Sequence, residues 1–300
     1  EILRGGNGGG YPWCREHLVS DYTPQWYQHF AHGEAGIAAD AALLTSESNS
    51  RLYNYYVEGL RWIVKNLHID GLYLDDVSFD RRILKRMRRA MESVKPGCII
   101  DLHSNTGFSI GPANQYTEFF PYVDKVWFGE SFQYDKMSPA NWITECSGIP
   151  FGLTGDMLQA GGNKWLGMQY GMTVRDPWKT EGIVCDPTIV WKVWDDFGIA
   201  DAQMIGFWEK DVPVTASDND VKVTVYKKQG KTLLSIGNYT DAVKKIHLNI
   251  DWKALGLNPK KTTITAPALR AFQDATTFKK DDEISVKPRQ GWLIYLTELQ

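Results

Sequence analysis

The stretch DGLYLDDVSFDR, Asp70 to Arg81, carries a short apolar run that stops at two adjacent carboxylates, Asp75 and Asp76, with a helical pattern beginning just beyond. A brief apolar run bounded by polar residues reads as a buried strand. Closing such a strand on paired acids calls for a reason, because a buried carboxylate costs stability unless it is paired or put to use. The flanking sequence supplies the frame. Upstream, RLYNYYVEGLRWIVKNL, Arg51 to Leu67, sets Leu52, Tyr53, Tyr56, Val57, Leu60, Ile63, Val64 and Leu67 at helical spacing. Downstream, a basic amphipathic helix is expected from about Phe79 to Val94.

The same figure returns along the chain. CIIDLHS follows Pro96-Gly97, VDKVWFGES runs to Glu130, GIPFGLTGD ends at Asp156, and AQMIGFWEK ends at Glu209. The earlier runs recur every ~25–30 residues with helical or loop material between them, the cadence of βα units in a parallel barrel. In such a barrel the βα loops converge at the C-terminal ends of the strands, so acids that close apolar strands read as active-site residues. Helix capping is the plain alternative for Asp75, Asp76, Ser78 or Asp80, and it suits Asp80 and Ser78 best. Coincidence accounts poorly for Asp75, Asp101, Glu130 and Asp156 together.

GIAADAALL, Gly36 to Leu44, is the one further strand candidate, so an eight-stranded barrel falls short at its N-terminal side. Either the chain is the later part of a larger protein, which is the favoured expectation, or the barrel is open or irregular. From about Pro213 the pattern changes to period two: DVKVTVYKKQGKTLLSIGNYT crosses a Gln-Gly turn, and KKIHLNID, EISVKP and GWLIYLTEL follow. The expected architecture is therefore a TIM-type (β/α) barrel lacking its first strands, residues 1–211, followed by a C-terminal antiparallel β-sandwich, residues 212–300.

Composition narrows the function. The formal net charge of -3 over 300 residues is near neutral. Arg81, Arg82, Lys85, Arg86, Arg88 and Arg89 fall at helical spacing and read as a solvated helix face, not a nucleic-acid footprint. No apolar stretch approaches the ~20 residues needed to span a bilayer. Cys14, Cys98, Cys146 and Cys185 lie far apart, without CxxC or Cys/His metal spacing, so zinc is not indicated and disulfides are not assignable; no cofactor is expected. Cys98 reads as a buried thiol.

The run LYNYYVEGLRWIVKNLHIDGLYLDDVSFDR, with IIDLHSN, VWFGESF and GIPFGLTGDM after it, resembles the barrel of bacterial glycoside hydrolase family 123-like proteins, particularly those of gut Bacteroidetes. More distantly, the spacing from Gly71 to Asp75 resembles the nucleophile strand of retaining glycosidase (β/α)8 barrels. Family 123 enzymes are exo-β-N-acetylgalactosaminidases that use an adjacent Asp-Glu pair and the substrate's own acetamide as nucleophile. In this chain the pair is Asp75-Asp76, a departure that leaves the sugar and substrate assistance open. The resemblance implies a glycan substrate and a periplasmic or secreted location.

The chemistry can be argued beside the family. Glycoside hydrolysis needs a general acid at the leaving oxygen and a second carboxylate as nucleophile, base or charge stabiliser. Side chains alternate along a strand, so Asp75 is in phase with Tyr73 and is the acid expected to point into the barrel mouth, with Asp76 as orienting partner or helix cap. Glu130 has the longer reach of a proton donor, and Trp127 and Phe128 beside it would desolvate it and raise its pKa. Asp101, His103 and Asn105 would line the same mouth and bind hydroxyls, with Asp156 on the following strand. Several of the twelve Trp, notably Trp127, Trp165 and Trp208, are candidate platforms for sugar faces, although barrels also bury large aromatics.

Two other classes fit the same residues. Asp76, Asp101 and Glu130 on successive strands match the way an enolase-like barrel places carboxylate ligands for Mg²⁺, with His103 as the base. A carbohydrate-binding barrel without catalysis is the third reading. The oligomeric state is unreadable from sequence.

Overall fold

The computed structural model describes residues 26–30, 39–43, 51–74, 81–104, 117–128, 132–157, 162–174 and 187–299; of 26–30, 39–43, 51 and 52 only the backbone is described. Helix α1, Arg51–Leu67, matches its periodicity: Tyr53, Val57, Leu60 and Val64 are buried along one face. It ends where His68 turns into the left-handed region at φ +57°. Lys95 then ties down the loop that follows, donating to the carbonyls of His68 (3.0 Å) and Ile69 (3.1 Å) and pairing with Asp70.

Strand β3, Gly71–Leu74, begins on a glycine for a steric reason: a Cβ at Gly71 would stand 2.0 Å from the Ile99 carbonyl oxygen of its neighbour. That neighbour, β4, Ile99–Ser104, runs parallel to it, with Gly71 opposite Ile99 and Tyr73 opposite Asp101. Between them α2, Arg81–Glu92, buries Ile83, Leu84, Met87 and Met91 completely and leaves its arginines outward. Arg86 donates to Asn54 of α1, and Arg88 turns inward. It reaches the carbonyls of Tyr122 (3.0 Å) and Cys98 (3.2 Å) and the Asp124 carboxylate (2.5 Å), while Asp124 also accepts from the Ile100 amide at 2.8 Å. Arg88→Met is expected to cost about 1–3 kcal/mol of stability, read by urea denaturation, because these acceptors lose a charged donor while apolar bulk is kept.

The chain divides into two compact units, residues 1–104 with 115–126 and residues 105–114 with 127–300. The division passes inside β5, Lys125–Phe128. In the first unit the sheet order is β3-β4-β5; in the second it is β5-β6-β7, with β6, Thr154–Met157, parallel to β7, Thr173–Val174. The expected parallel strands at 71, 99, 125 and 154 are thus present, and β7 is one that its two-residue length hid from the sequence.

Two expectations change. The segment near Gly36 to Leu44 does form a strand, β2, Ala39–Leu43, but it pairs antiparallel with β1, Trp26–Phe30, as a hairpin and not as a βα unit. AQMIGFWEK also leaves the barrel: only β8, Gln203–Ile205, is extended, and it lies antiparallel to β10, Val221–Lys228, in the C-terminal sheet. A three-residue strand carries too little pattern to reveal its partner.

That sheet has the order β15-β14-β17-β11-β10-β8, where β11 is Lys231–Asn238, β14 Thr262–Ala266, β15 Thr276–Phe278 and β17 Gly291–Glu298. The β10–β11 hairpin closes over Gln229-Gly230, where Gly230 takes the left-handed φ of +70° that glycine adopts without steric cost. Period two sorts its side chains. Val221, Val223, Val225, Leu234, Ile236, Ile294 and Leu296 face a core completed by short pairs, β9 (Val214–Ala216) with β13 (Leu248–Ile250) and β12 (Lys244–Ile246) with β16 (Ile284–Val286). Tyr226, Leu233 and Leu293 face the other way, onto helix α3, Thr188–Phe197, through Val190, Val193 and Phe197. The sheet is thus covered on both faces, by the short strand pairs on one side and by α3 on the other.

Candidate active site

On β3 and β4 one phase is closed and the other open. Leu74, Ile100, Leu102 and Ser104 are buried, whereas Tyr73 is 43% exposed and Asp101 partly buried. Tyr73 and Asp101 are direct register partners, and alternation adds His103 to the same face. The Tyr73 and His103 rings stack with centroids 6.3 Å apart and planes 21° from parallel. His103 is only 7% exposed, and Tyr73 and Asp101 are the more open groups of this face. Asp75, Asp76 and Asn105 lie outside the described residues, at chain positions directly after β3 and β4.

On β5, Val126 and Phe128 are fully buried and Trp127 partly exposed; on β6, Met157 is buried and Asp156 partly exposed. Tyr73, Asp101, Trp127 and Asp156 are thus among the less buried side chains of these strands, while His103 is buried. Glu130 lies outside the described residues.

Trp165 and Trp208 are held by packing. The Trp165 indole donates to the Phe272 carbonyl (3.3 Å), its ring lies 5.2 Å from that of Phe272, and the Lys164 ammonium sits 5.1 Å from its centroid. Trp208 stacks on Tyr170 at 5.6 Å with planes 3° apart, and Gly206 is obligatory because a Cβ there would lie 2.2 Å from the Trp208 ring. Tyr170 stacks on its other neighbour, fully buried Trp142, at 5.2 Å and 1°.

Around this column lies a buried polar cluster with no sequence signature. Gln169, fully buried, donates to the carbonyls of Lys222 (2.7 Å) and Ser235 (3.0 Å) and accepts from the Tyr239 hydroxyl (3.1 Å); its own carbonyl accepts from Thr224 (2.9 Å). The Tyr170 and Tyr239 hydroxyls are 2.8 Å apart. Burial pushes both phenols well above their ordinary range, Tyr170 further through Tyr239, so both remain protonated donors. Gln169 sits in the Gly-rich segment MLQAGGNKWLGMQYG, but a polar residue gives no sign in sequence that it is buried. No group of three or more His, Cys, Asp or Glu able to hold a metal ion occurs among the described residues.

The profile for the glycoside hydrolase 123 TIM-barrel domain matches residues 1–177, and that for the glycoside hydrolase 123 C-terminal domain matches residues 186–297. The chain belongs to glycoside hydrolase family 123. It is a glycosidase, with a TIM-type barrel followed by an antiparallel C-terminal domain. Among curated proteins none matches the sequence.

Solved structures similar to this family 123 chain are themselves barrels with a further domain. A noncanonic maltogenic alpha-amylase, AmyB of Thermotoga neapolitana, has a TM-score of 0.53 at 12% identity, over 99% of this chain and 76% of that one. An alpha-amylase from Geobacillus thermoleovorans complexed with acarbose has 0.52 at 13%, over 98% and 75%. Amy13B of Eubacterium rectale has 0.52 at 12%, over 100% and 78%. At these identities the likeness is one of fold.

Proposed function

We propose that this family 123 glycosidase is an exo-acting hexosaminidase or galactosidase, with Asp75 as nucleophile or charge stabiliser, Glu130 as acid/base and Asp76 in support. The observation that carries it is the open phase of β3 and β4: Tyr73, two residues before Asp75 in the chain, is exposed on the same face as Asp101 and His103. Alternation favours Asp75 over Asp76 for that face, since Leu74, two residues before Asp76, is buried.

In this reading Glu130 gives its proton to the glycosidic oxygen as the bond to C1 breaks, and the electron pair leaves with the aglycone. Positive charge then grows on C1 and the ring oxygen, where the Asp75 carboxylate meets it, by covalent attack or as a fixed anion. Where the sugar carries an acetamide, its carbonyl oxygen can attack C1 instead, and the two Asp carboxylates orient and stabilise the ring that forms. Glu130 finally removes a proton from the incoming water. Asp101 and His103 accept and donate hydrogen bonds to the sugar hydroxyls, and Trp127 offers an aromatic face to its C–H side.

The test is hydrolysis of aryl glycosides in both anomers of galactose, glucose, N-acetylgalactosamine, N-acetylglucosamine, fucose and arabinose, with and without EDTA. Release from N-acetylgalactosamine, N-acetylglucosamine or galactose that survives EDTA is the expected result. A requirement for the acetamide selects substrate assistance; equal turnover without it selects a protein nucleophile. Loss of turnover with EDTA would favour the Mg²⁺ enzyme, and silence across the panel with glycan binding intact would favour the binding barrel.

A further inference from the structure

A cavity of about 430 Å³ lies within the second unit, where the turn around Lys136 meets the loops of the C-terminal domain. Its volume falls in the range of small-ligand sites. The lining is cationic: Lys136, Lys222 and Arg289 stand against a single carboxylate, Asp220. That carboxylate is already compensated, because Lys244 pairs with it at 2.7 Å and with Asp218 at 2.9 Å. Arg289 is likewise held by Asp241, with contacts of 2.9 and 3.3 Å. Lys136 and Lys222 have no ion-pair partner among the described residues. The cavity thus keeps two ammonium groups that no described carboxylate pairs with.

The walls are set before any ligand arrives. The Arg289 backbone sits at φ +54°, its amide donates to the Thr240 carbonyl (3.1 Å), and its carbonyl accepts from buried Asn163 (2.8 Å). Met137 and Tyr239, both nearly buried, give an apolar floor, and the Tyr239 hydroxyl is turned inward to Gln169. The Lys222 ammonium lies 6.0 Å from the Phe207 ring, which restrains the side chain without neutralising it. A pocket with an apolar floor, the exposed Asn219 amide at its edge and two cations without a described ion-pair partner suits a pyranose that bears an anion.

The geometry points to an ancillary glycan site in this cavity, selective for a sugar carrying a carboxylate or a sulfate ester. It rests on the glycosidase reading only in taking the ligand to be part of the enzyme's own substrate glycan. Lys136 and Lys222 bind the anion, and Met137 and Tyr239 take the apolar face of the ring. The site would hold an acidic branch or neighbouring residue of the glycan and so bias the enzyme toward acidic polysaccharides.

The experiment is calorimetric titration of the full chain, at low ionic strength, with unsulfated chondroitin tetrasaccharide, its sulfated form and neutral chitotetraose. The anionic probes are expected to bind, carboxylate alone or sulfate as well according to which group the pocket takes, and to weaken at least about tenfold in the double variant Lys136→Ala/Lys222→Ala. Lys136→Arg/Lys222→Arg keeps the charge and should stay within about threefold of the parent. Turnover of the best aryl glycoside is unchanged in both variants. No binding by either anionic probe, equal binding by the alanine variant, or binding that persists there and disappears in Arg81→Ala/Arg89→Ala overturns the proposal. Failure of the glycosidase reading looks different: the parent is silent on every aryl glycoside whatever the titration shows.

Discussion

Asp75→Asn lowers kcat/KM on the preferred aryl glycoside by roughly 10²–10⁴-fold, the range for removing a carboxylate that acts in the transition state. The substitution keeps size and shape and removes only the charge, so the midpoint of thermal unfolding stays within about 2 °C of the parent. Glu130→Gln behaves differently in a diagnostic way. A nitrophenolate leaves without protonation, so turnover of nitrophenyl glycosides falls little in its first step, whereas a glycan with an alkoxide leaving group suffers the full loss. A nearly wild-type rate for Asp75→Asn on every substrate would move the role to Asp76, whose Asn variant should then show the loss.

Trp142→Ala costs about 3–5 kcal/mol, the range for truncating a large buried aromatic. Trp142 is wholly buried in the short π-helical turn Trp142–Cys146, with its ring 5.4 Å from Tyr134 and 5.2 Å from Tyr170. Removing it empties one end of the Trp142, Tyr170, Trp208 column and leaves Tyr170 without its stacking partner. Its indole N–H finds no acceptor among the described residues. Trp142→Phe therefore loses bulk but also deletes an unsatisfied donor, and it should cost less than half as much as the alanine change. Denaturant unfolding followed by far-ultraviolet circular dichroism measures both. A Phe variant as damaged as the Ala variant would show that the indole N–H is satisfied after all.

The parallel strands were legible because each combined a buried phase with an abrupt polar end: Ile100 and Leu102 ahead of His103, Val126 and Phe128 ahead of Glu130. Helix α1 was legible to the residue because Tyr53, Val57, Leu60 and Val64 hold one face over 17 residues. What stayed hidden has a common cause. Strands β7 and β8 are two and three residues long, too short for any period, and their partners are decided by distant segments. Trp165 and Trp208 keep partly exposed rings, and their packing partners Phe272 and Tyr170 are what sequence does not show. Gln169, Tyr170 and Tyr239 were invisible for the same reason. That Tyr73 stands in the open phase and Leu74 in the buried one was legible, because alternation along a strand needs no tertiary information.

The hydrogen bonds of Asn163, Trp165 and Gln169 also bear on how the molecule is made. Asn163 binds the carbonyl of Arg289, 126 residues later, and Trp165 that of Phe272, 107 later. Synthesis proceeds from the N-terminus at about 5–20 residues per second, so roughly 6–25 s separate the emergence of these side chains from that of their partners. Throughout that interval Asn163 and Trp165 lack these acceptors, and the buried amide of Gln169 waits 53 residues for the Lys222 carbonyl and 66 for that of Ser235. The later half of the barrel is therefore completed only after translation reaches the last strands. Nascent chains stalled before residue 289 should be the ones that chaperones hold and proteases cut.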